Sequence, residues 1–475
     1  MFSPSSSLFI SLFIYLFIYL FIALDWLQFP ARPTASSAKL NTMTRREKQF
    51  MVFNELREVA SVSQDKLRAQ LEKRGFEVKT FWLGNTMQIK AATPALIREL
   101  RSSRTAVEIE AVKIVAHIHE PMVHEIFETL PKSSAKLSTH NKRAVEWNIE
   151  IIQAEAAWAI STGFNITVAN IDTGVRYTHE ALIDSYKGNN GDSTFNHDYN
   201  WHDPRGTQAQ PFDNNGHGTH TMGSIVGSEL VAGIGVAPAA KWIAAKGCAS
   251  SSCSNADLIS SFEYLFAPTK QDGTDPDPAY APQIISNSWG GGQGSTTFLD
   301  YISPHVEVGT VVTFSQGNAG PGCGSANSPG DLTIVIGVGS TDSGDALSSF
   351  SSRGPSIISN ADFNIQKPDI SAPGSSILSS YYSSDTSYAS LSGTSMACPH
   401  VSGLIALLYE VNPNLSVDQV KSILQTTSFQ GVAPPTGLTT CSGIPYTQWP
   451  NYHYGYGRID AFAAVRAAGA LAKKL

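Results

Sequence analysis

The pattern that most restricts the fold is a recurrence of short, continuously apolar, β-branched runs separated by helical stretches. "ITVANIDTG" (166–174), "IISNSWG" (284–290), "GTVVTFSQGN" (309–318) and "TIVIGVGS" (333–340) alternate with "DLISSFEYLF" (257–266) and "VSGLIALLYEV" (401–411). Such runs lack the apolar-polar alternation of half-exposed strands, so they predict an α/β fold: a mostly parallel sheet with helices on both faces. A chain with 42% hydrophobic and only 15% charged residues can fill that core. In open parallel sheets, ligands gather outside the carboxyl ends of the strands. Polar residues at those ends are therefore the ones to examine for chemistry.

Upstream the pattern is different. "KQFMVFN" (48–54) reads as a strand and "SQDKLRAQLEKRG" (63–75) as an amphipathic helix closed by Gly75. "FEVKTFWL" and "TMQIKAA" predict a hairpin across Gly84-Asn85, "PALIRELRSS" a helix opening on Pro94, and "AVEIEAVKIV" (106–115) a last strand. The order β-α-β-β-α-β is that of a small ferredoxin-like α+β domain. Four segments follow: 1–42, 43–118, a polar connector over 119–143 carrying the dibasic Lys142-Arg143, and 144–475.

The first segment contains the uncharged run Leu8–Leu24, "LFISLFIYLFIYLFIAL", which reads as a secretory signal or a membrane anchor. A third reading makes it an extension upstream of an initiating Met43. Five cysteines fit an oxidising compartment. Cys248 and Cys253 are close enough in "GCASSSCS" to bridge; Cys323 and Cys441 either pair or stay free, and Cys398 reads as a small buried filler. The secreted reading is favoured, with membrane association only if the apolar run is retained.

Net charge excludes less than its distribution reveals. The total of −7 argues against nucleic acid as a partner. Between Arg45 and Lys113 there are 14 basic and 9 acidic residues, whereas from Ala144 onward there are 13 and 27. The two parts carry +5 and −14 and would attract each other at low ionic strength.

Four polar residues stand where a parallel sheet would collect them. Asp172 ends "ITVANID"; His217 lies in "NNGHGTHTMGS", between glycines that permit close backbone approach; Asn318 ends "VVTFSQGN"; Ser395 opens the helix of "GTSMACPHVSGLIALL". A serine hydroxyl is a poor nucleophile without a base, an orienting carboxylate and oxyanion donors. His217 supplies the base, Asp172 the carboxylate that holds its tautomer, and Asn318 with the Ser395 amide the oxyanion donors. Singly, each has a structural reading; together, in these local settings, they point to acyl transfer.

"VANIDTGV", "NGHGTHTMG", "SNSWGG", "SQGNAG" and "GTSMACPHVSG" closely resemble the motifs of the subtilisin family of serine proteases. "VEWNIEIIQAEAAW" and "GNAGPGCGSANSPGD" look like its bacillopeptidase F-like branch. The resemblance covers about 144–465 and implies a serine endopeptidase with catalytic Asp172, His217 and Ser395, Asn318 at the oxyanion, and His220 structural. It implies that Ser288, Trp289 and Gly290, with Ser315, Gln316 and Gly317, pair with an extended peptide and wall the primary pocket. The module at 43–118 then resembles the inhibitory propeptide of a self-processing zymogen, cut within roughly 115–145.

Some positions depart from the family's pattern. Ala319 stands where relatives often carry an acid, Gln316 replaces a small residue, and Trp289 a smaller aliphatic, which favours an apolar or aromatic residue before the scissile bond. No cofactor is required. Calcium as a structural ion is compatible with the family, yet no acidic cluster here has convincing ligand spacing. The rival readings are a membrane-anchored processing protease and a non-catalytic homologue that binds peptides without cutting them; the presence of all four site residues speaks against the latter.

Overall fold

The apolar runs become the central sheet. The computed structural model describes residues 25–28, 42–102, 124–126, 134–135, 145–228, 233–358 and 365–473. They fall into two compact units, one drawn from 1–43 and 50–122, the other from 44–49 and 123–475. The apolar run at 8–24, the expected strand at 106–115 and most of the connector lie outside the described residues. Among the described residues no helix is long and apolar enough to cross a membrane.

Strand β1 (Asp25–Gln28), helix α1 (Arg45–Lys73), which belongs to the first unit from Phe50 onward, strands β2 (Val78–Phe81) and β3 (Thr86–Ile89) and helix α2 (Pro94–Ser102) follow in order. The sheet is antiparallel in the order β1-β3-β2, and the hairpin turns at Asn85, in the left-handed region at φ 48°. The strand expected at 48–54 is not there. Those residues belong to α1, because buried Val52, Phe53, Leu56, Ala60 and Leu71 recur at helical spacing with no breaker between Arg45 and Lys73. A capping box helps start the helix: Thr44 and Glu47 exchange hydrogen bonds. The local apolar density of "FMVF" imitates a strand, while the longer period decides.

The second unit is built on seven parallel strands: β6 (Thr167–Ile171), β7 (Trp201–His202), β8 (Lys241–Ala245), β10 (Ile284–Asn287), β12 (Val311–Ser315), β13 (Ile336–Thr341) and β14 (Ile370–Pro373). Six short strands, β4 (His124–Ile126), β5 (Ser134–Ala135), β9 (Ser252–Cys253), β11 (Trp289–Gly290), β15 (Ile377–Ser380) and β16 (Tyr388–Leu391), form two three-stranded sheets in the orders β11-β4-β9 and β15-β16-β5, and Thr440–Cys441 pairs with Ile444–Pro445. The main sheet runs β14-β13-β12-β10-β6-β8-β7. The chain thus enters at β6, goes to the edge at β7, returns to β8 between the two, then crosses to β10 on the other side of β6. That reversal is the switch point at which parallel sheets open a crevice.

Helices α3 (His217–Val226), α4 (Asn255–Phe266) and α5 (Thr394–Val411) pack on this sheet. Val168, Ile284, Val311, Ile336 and Ile370 share one core with Val401, Leu404 and Ile405 of α5. Phe314, of opposite parity to Val311 along β12, packs edge-on to Trp289 at 5.1 Å, with Phe262 of α4 beyond. The sheet is therefore covered on both faces, as its uninterrupted apolar runs require.

Candidate active site

Asp172 follows β6 directly, and its backbone N–H donates to Ala245 of β8 at 3.1 Å, which prolongs the sheet by one residue. His217 is the first residue of α3. Gly216 before it has φ 107°, a left-handed conformation that side chains disfavour, and His217 N–H donates to Asn215 Oδ1 at 3.1 Å. Gly218 has to be glycine: a Cβ there would lie 2.1 Å from the Gly174 carbonyl oxygen. That close approach brings the loop after β6 against the start of α3.

One buried carboxylate ties the two loops. Asp213 accepts from Thr173 Oγ1, Asn215 N and Gly216 N through Oδ1, and from Thr219 N and Oγ1 through Oδ2. Lys246 reaches in from β8, donating to the Thr173 carbonyl and to Asn214 Oδ1 with its ammonium over the Phe212 ring. Neither residue is distinguished by a motif. Their signal in the sequence is only an acid and a lysine flanking glycine-rich turns.

The result is a buried pair. His217 Nδ1 donates to Asp172 Oδ1 at 2.7 Å, with Asp172 1% exposed and His217 fully buried. Oδ1 also accepts from Thr173 N at 2.7 Å, and Oδ2 accepts from Thr221 Oγ1 at 3.2 Å. This bonding fixes the tautomer that leaves Nε2 as the basic nitrogen. Thr221 lies four residues after His217, one turn along the same helix face, a spacing legible in "HGTHT".

His220 points elsewhere. Its Nε2 meets the carbonyls of Ile377 and Ala389 at 3.0 Å each, and burial pulls its pKa down to about 3, so it stays neutral as a bridge between β15 and β16.

Ser395 is the second residue of α5, where backbone N–H groups have no partner within the helix. Its hydroxyl donates to the Ser288 carbonyl at 2.9 Å, and Ser288 Oγ donates back to the Ser395 carbonyl at 2.9 Å. In this arrangement the Ser395 hydroxyl rests on Ser288. Proton transfer to the imidazole requires the hydroxyl to exchange that acceptor for Nε2. Asn318 Oδ1 accepts from Thr394 N at 2.9 Å and from Thr394 Oγ1 at 3.0 Å, an orientation that leaves the Nδ2 end of the amide to donate. Thr394, next to Ser395, is a residue of this site that motif reading passed over.

The two expected peptide-binding segments behave differently. Trp289 and Gly290 form β11, which pairs antiparallel with β4 of the same chain, Trp289 opposite Ile126 and Gly290 opposite Glu125. The Trp289 ring, however, is fully buried among Phe262, Phe298 and Phe314, so its bulk fills the core. At Gln316 and Gly317 the backbone is already committed: Gln316 bonds Val338 O and Asn327 N, and Gly317 bonds Thr394 Oγ1 and Ser352 N. The second strand flanking β4 is β9, with Cys253 opposite His124 and Ser252 opposite Glu125. Nothing in "ASSSCS" announces an edge strand, since two small polar residues have no periodicity to read.

Cys248 and Cys253 are disulfide-bonded, as are Cys323 and Cys441. Cys398 is free and buried, with its thiol pKa raised by burial. Among the described residues no three His, Cys, Asp or Glu side chains stand together to hold a metal ion, so no residues are assigned to calcium.

A buried carboxylate-imidazole pair, a serine at a helix start and an amide donor at the carboxyl ends of a parallel sheet have the makings of a serine hydrolase site. The chain belongs to the subtilase family, whose model matches residues 163–457. It is 38% identical over 333 residues to bacillopeptidase F of Bacillus subtilis (strain 168), 68% of this chain but 22% of that protein. It is 33% identical over 332 residues to subtilisin DY of Bacillus licheniformis, covering all of that protein, and 31% identical over 317 residues to thermitase of Thermoactinomyces vulgaris, covering 94%. The chain thus spans about a fifth of the length of the first of these relatives and nearly all of the other two.

Proposed function

We propose that this chain is a serine endopeptidase that acts through Asp172, His217 and Ser395, with Asn318 as oxyanion donor. The buried bond between His217 Nδ1 and Asp172 Oδ1 carries the reading. Ser395 attacks the peptide carbonyl while His217 Nε2 takes its proton. The tetrahedral oxyanion is met by Asn318 and the Ser395 amide, and the imidazolium returns the proton to the leaving amine. Water then repeats the sequence on the acyl-enzyme, with the acid released and the serine regenerated.

We infer further that the enzyme is made as a self-processing zymogen and secreted. The strand β4 supports the first: a segment of the connector lies between β9 and β11 in the manner of a peptide substrate, with its carboxyl end, Ile126, on the Ser288 side. On the other side β5 pairs with β16, Ala135 opposite Tyr388, a few residues before Ser395. The bond we assign to self-cleavage is Phe127–Glu128, the first after β4, with an aromatic side chain before it and, at Ala319, no acid that would call for a basic one. Residues 43–118 then serve as an intramolecular inhibitor drawn by opposite charge. Two disulfides and the apolar run at 8–24 support secretion.

The test is to express the full chain beside Ser395→Ala and to follow intact mass, product N-termini and casein hydrolysis. The expected result is a mature species beginning at Glu128 that cuts casein and is silenced by a fluorophosphonate, with the variant inert and full length. A parent that stays uncut and inactive defeats the endopeptidase reading; an active parent with another N-terminus defeats only the assigned bond.

A further inference from the structure

We propose that the Cys248–Cys253 disulfide is a specificity-determining element: it holds β9 as the outer wall of the peptide groove and so sets affinity for the residues that precede the scissile bond. The inference rests on the endopeptidase reading above and adds the part of the substrate that this wall grips.

Beyond its junction with α4, which Ser254 caps directly after Cys253, the wall has little else to hold it. β9 is two residues long, Ser250, Ser251 and Ser252 are exposed, and the loop from Cys248 to Cys253 offers no large apolar side chain to the core. An edge strand with small side chains lacks the packing that normally fixes its distance from a partner. Within the loop, the backbone bond from Ala249 N to Ser252 O at 3.1 Å and the cross-link between the two cysteines are what close it. Both cysteines are buried.

The cross-link is anchored at the catalytic acid. Cys248 N–H donates to the Asp172 carbonyl at 3.0 Å, and Asp172 N–H in turn bonds Ala245 of β8. The path therefore runs from the backbone of Asp172 by one hydrogen bond to Cys248, and from there through the disulfide to Cys253, which stands opposite His124 in the β4 pairing. A peptide in that slot gains main-chain hydrogen bonds from β9 on one side and from β11 on the other. Releasing β9 removes the first set while Ser395, His217 and Asn318 keep their own supports.

The experiment compares two substrates on the parent and on the double variant Cys248→Ser/Cys253→Ser. One is an ester of a single N-acetylated aromatic amino acid; the other is a peptide with four residues before the same aromatic. Losing one set of strand bonds is expected to lower kcat/KM on the peptide about tenfold, mostly through KM, with the ester changed less than about twofold. Cys323→Ser/Cys441→Ser is the control and should leave the ratio of the two substrates at the parent's value. Should the double variant fail to fold, Cys248→Ala/Cys253→Ala gives the same readout. A ratio within twofold of the parent's in either folded variant overturns the proposal, whether or not the two activities fall together. A parent inert toward both substrates overturns the endopeptidase reading instead.

Discussion

Ser288 and Ser395 exchange hydrogen bonds, each hydroxyl donating to the other's carbonyl at 2.9 Å. Pro399 explains half of this. In an α-helix the carbonyl of residue 395 would accept from the N–H of residue 399, and proline has none. Ser288 Oγ supplies the missing donor. The helix that carries Ser395 is thereby secured to the strand end beside it.

Replacing Ser288 by alanine leaves the Ser395 carbonyl buried without its donor. We expect a loss of about 1–3 kcal/mol in stability and a slower reaction of Ser395 with a fluorophosphonate. Pro399→Ala alone restores the helical N–H. In the double variant, that N–H should recover most of the stability lost on Ser288→Ala, so a thermodynamic cycle on the pair should give a clear coupling energy. Additive losses would show that the two residues do not share the carbonyl.

Asn318 is held by the acceptor end of its amide, so Asn318→Asp separates holding from donating. A carboxylate can still accept from Thr394 N and Oγ1, but it cannot donate to an oxyanion. Removal of one such donor costs about 10²–10³ in kcat in enzymes of this kind. We expect at least that loss in Asn318→Asp with the melting temperature near the parent's. Steady-state kinetics and a thermal melt check both.

Asp172→Asn tests the carboxylate. The asparagine fits the same space, yet it cannot offer two acceptor oxygens to His217 Nδ1, Thr173 N and Thr221 Oγ1. The imidazole is then free to settle in the tautomer that is not basic at Nε2, and kcat should fall by about 10⁴ at neutral pH. An active Asp172→Asn enzyme would mean that another group orients His217.

Most of the catalytic unit is legible in the sequence because burial on both sheet faces writes uninterrupted apolar runs, and because Asp172, His217, Asn318 and Ser395 each follow or open an element with a clear signature. The misreading at 48–54 has the opposite origin: a seven-residue window sees "FMVF", whereas the helix is specified by a period sustained over 29 residues. Trp289 illustrates a second limit. Its backbone pairs with β4 while its ring enters the core, and no local pattern says which of the two a residue of so short a strand will serve. The supports of the site, Asp213, Thr394 and β9, depend on contacts between distant segments and leave no periodic trace.

Acid should unfold this protein from a higher pH than its carboxylates alone would dictate. His220, His305 and His400 are fully buried, and burial lowers their pKa values to about 3, about 3 and about 4. In the unfolded chain they titrate near the ordinary histidine value of about 6.5. Above that pH all three are neutral in both states and contribute no dependence. Between about 6.5 and their folded values the unfolded chain binds protons that the fold refuses, so stability falls as pH falls, by about 1.4 kcal/mol per pH unit for each histidine in that window. The expected record is a melting temperature that is level from pH 8 to 7 and declines steeply from pH 6 to 4. Replacing His305, which bonds the Phe262 carbonyl through Nε2, by glutamine should remove one proton from the slope. A melting temperature flat down to pH 4.5 would mean that these histidines titrate in the folded protein much as they do in water.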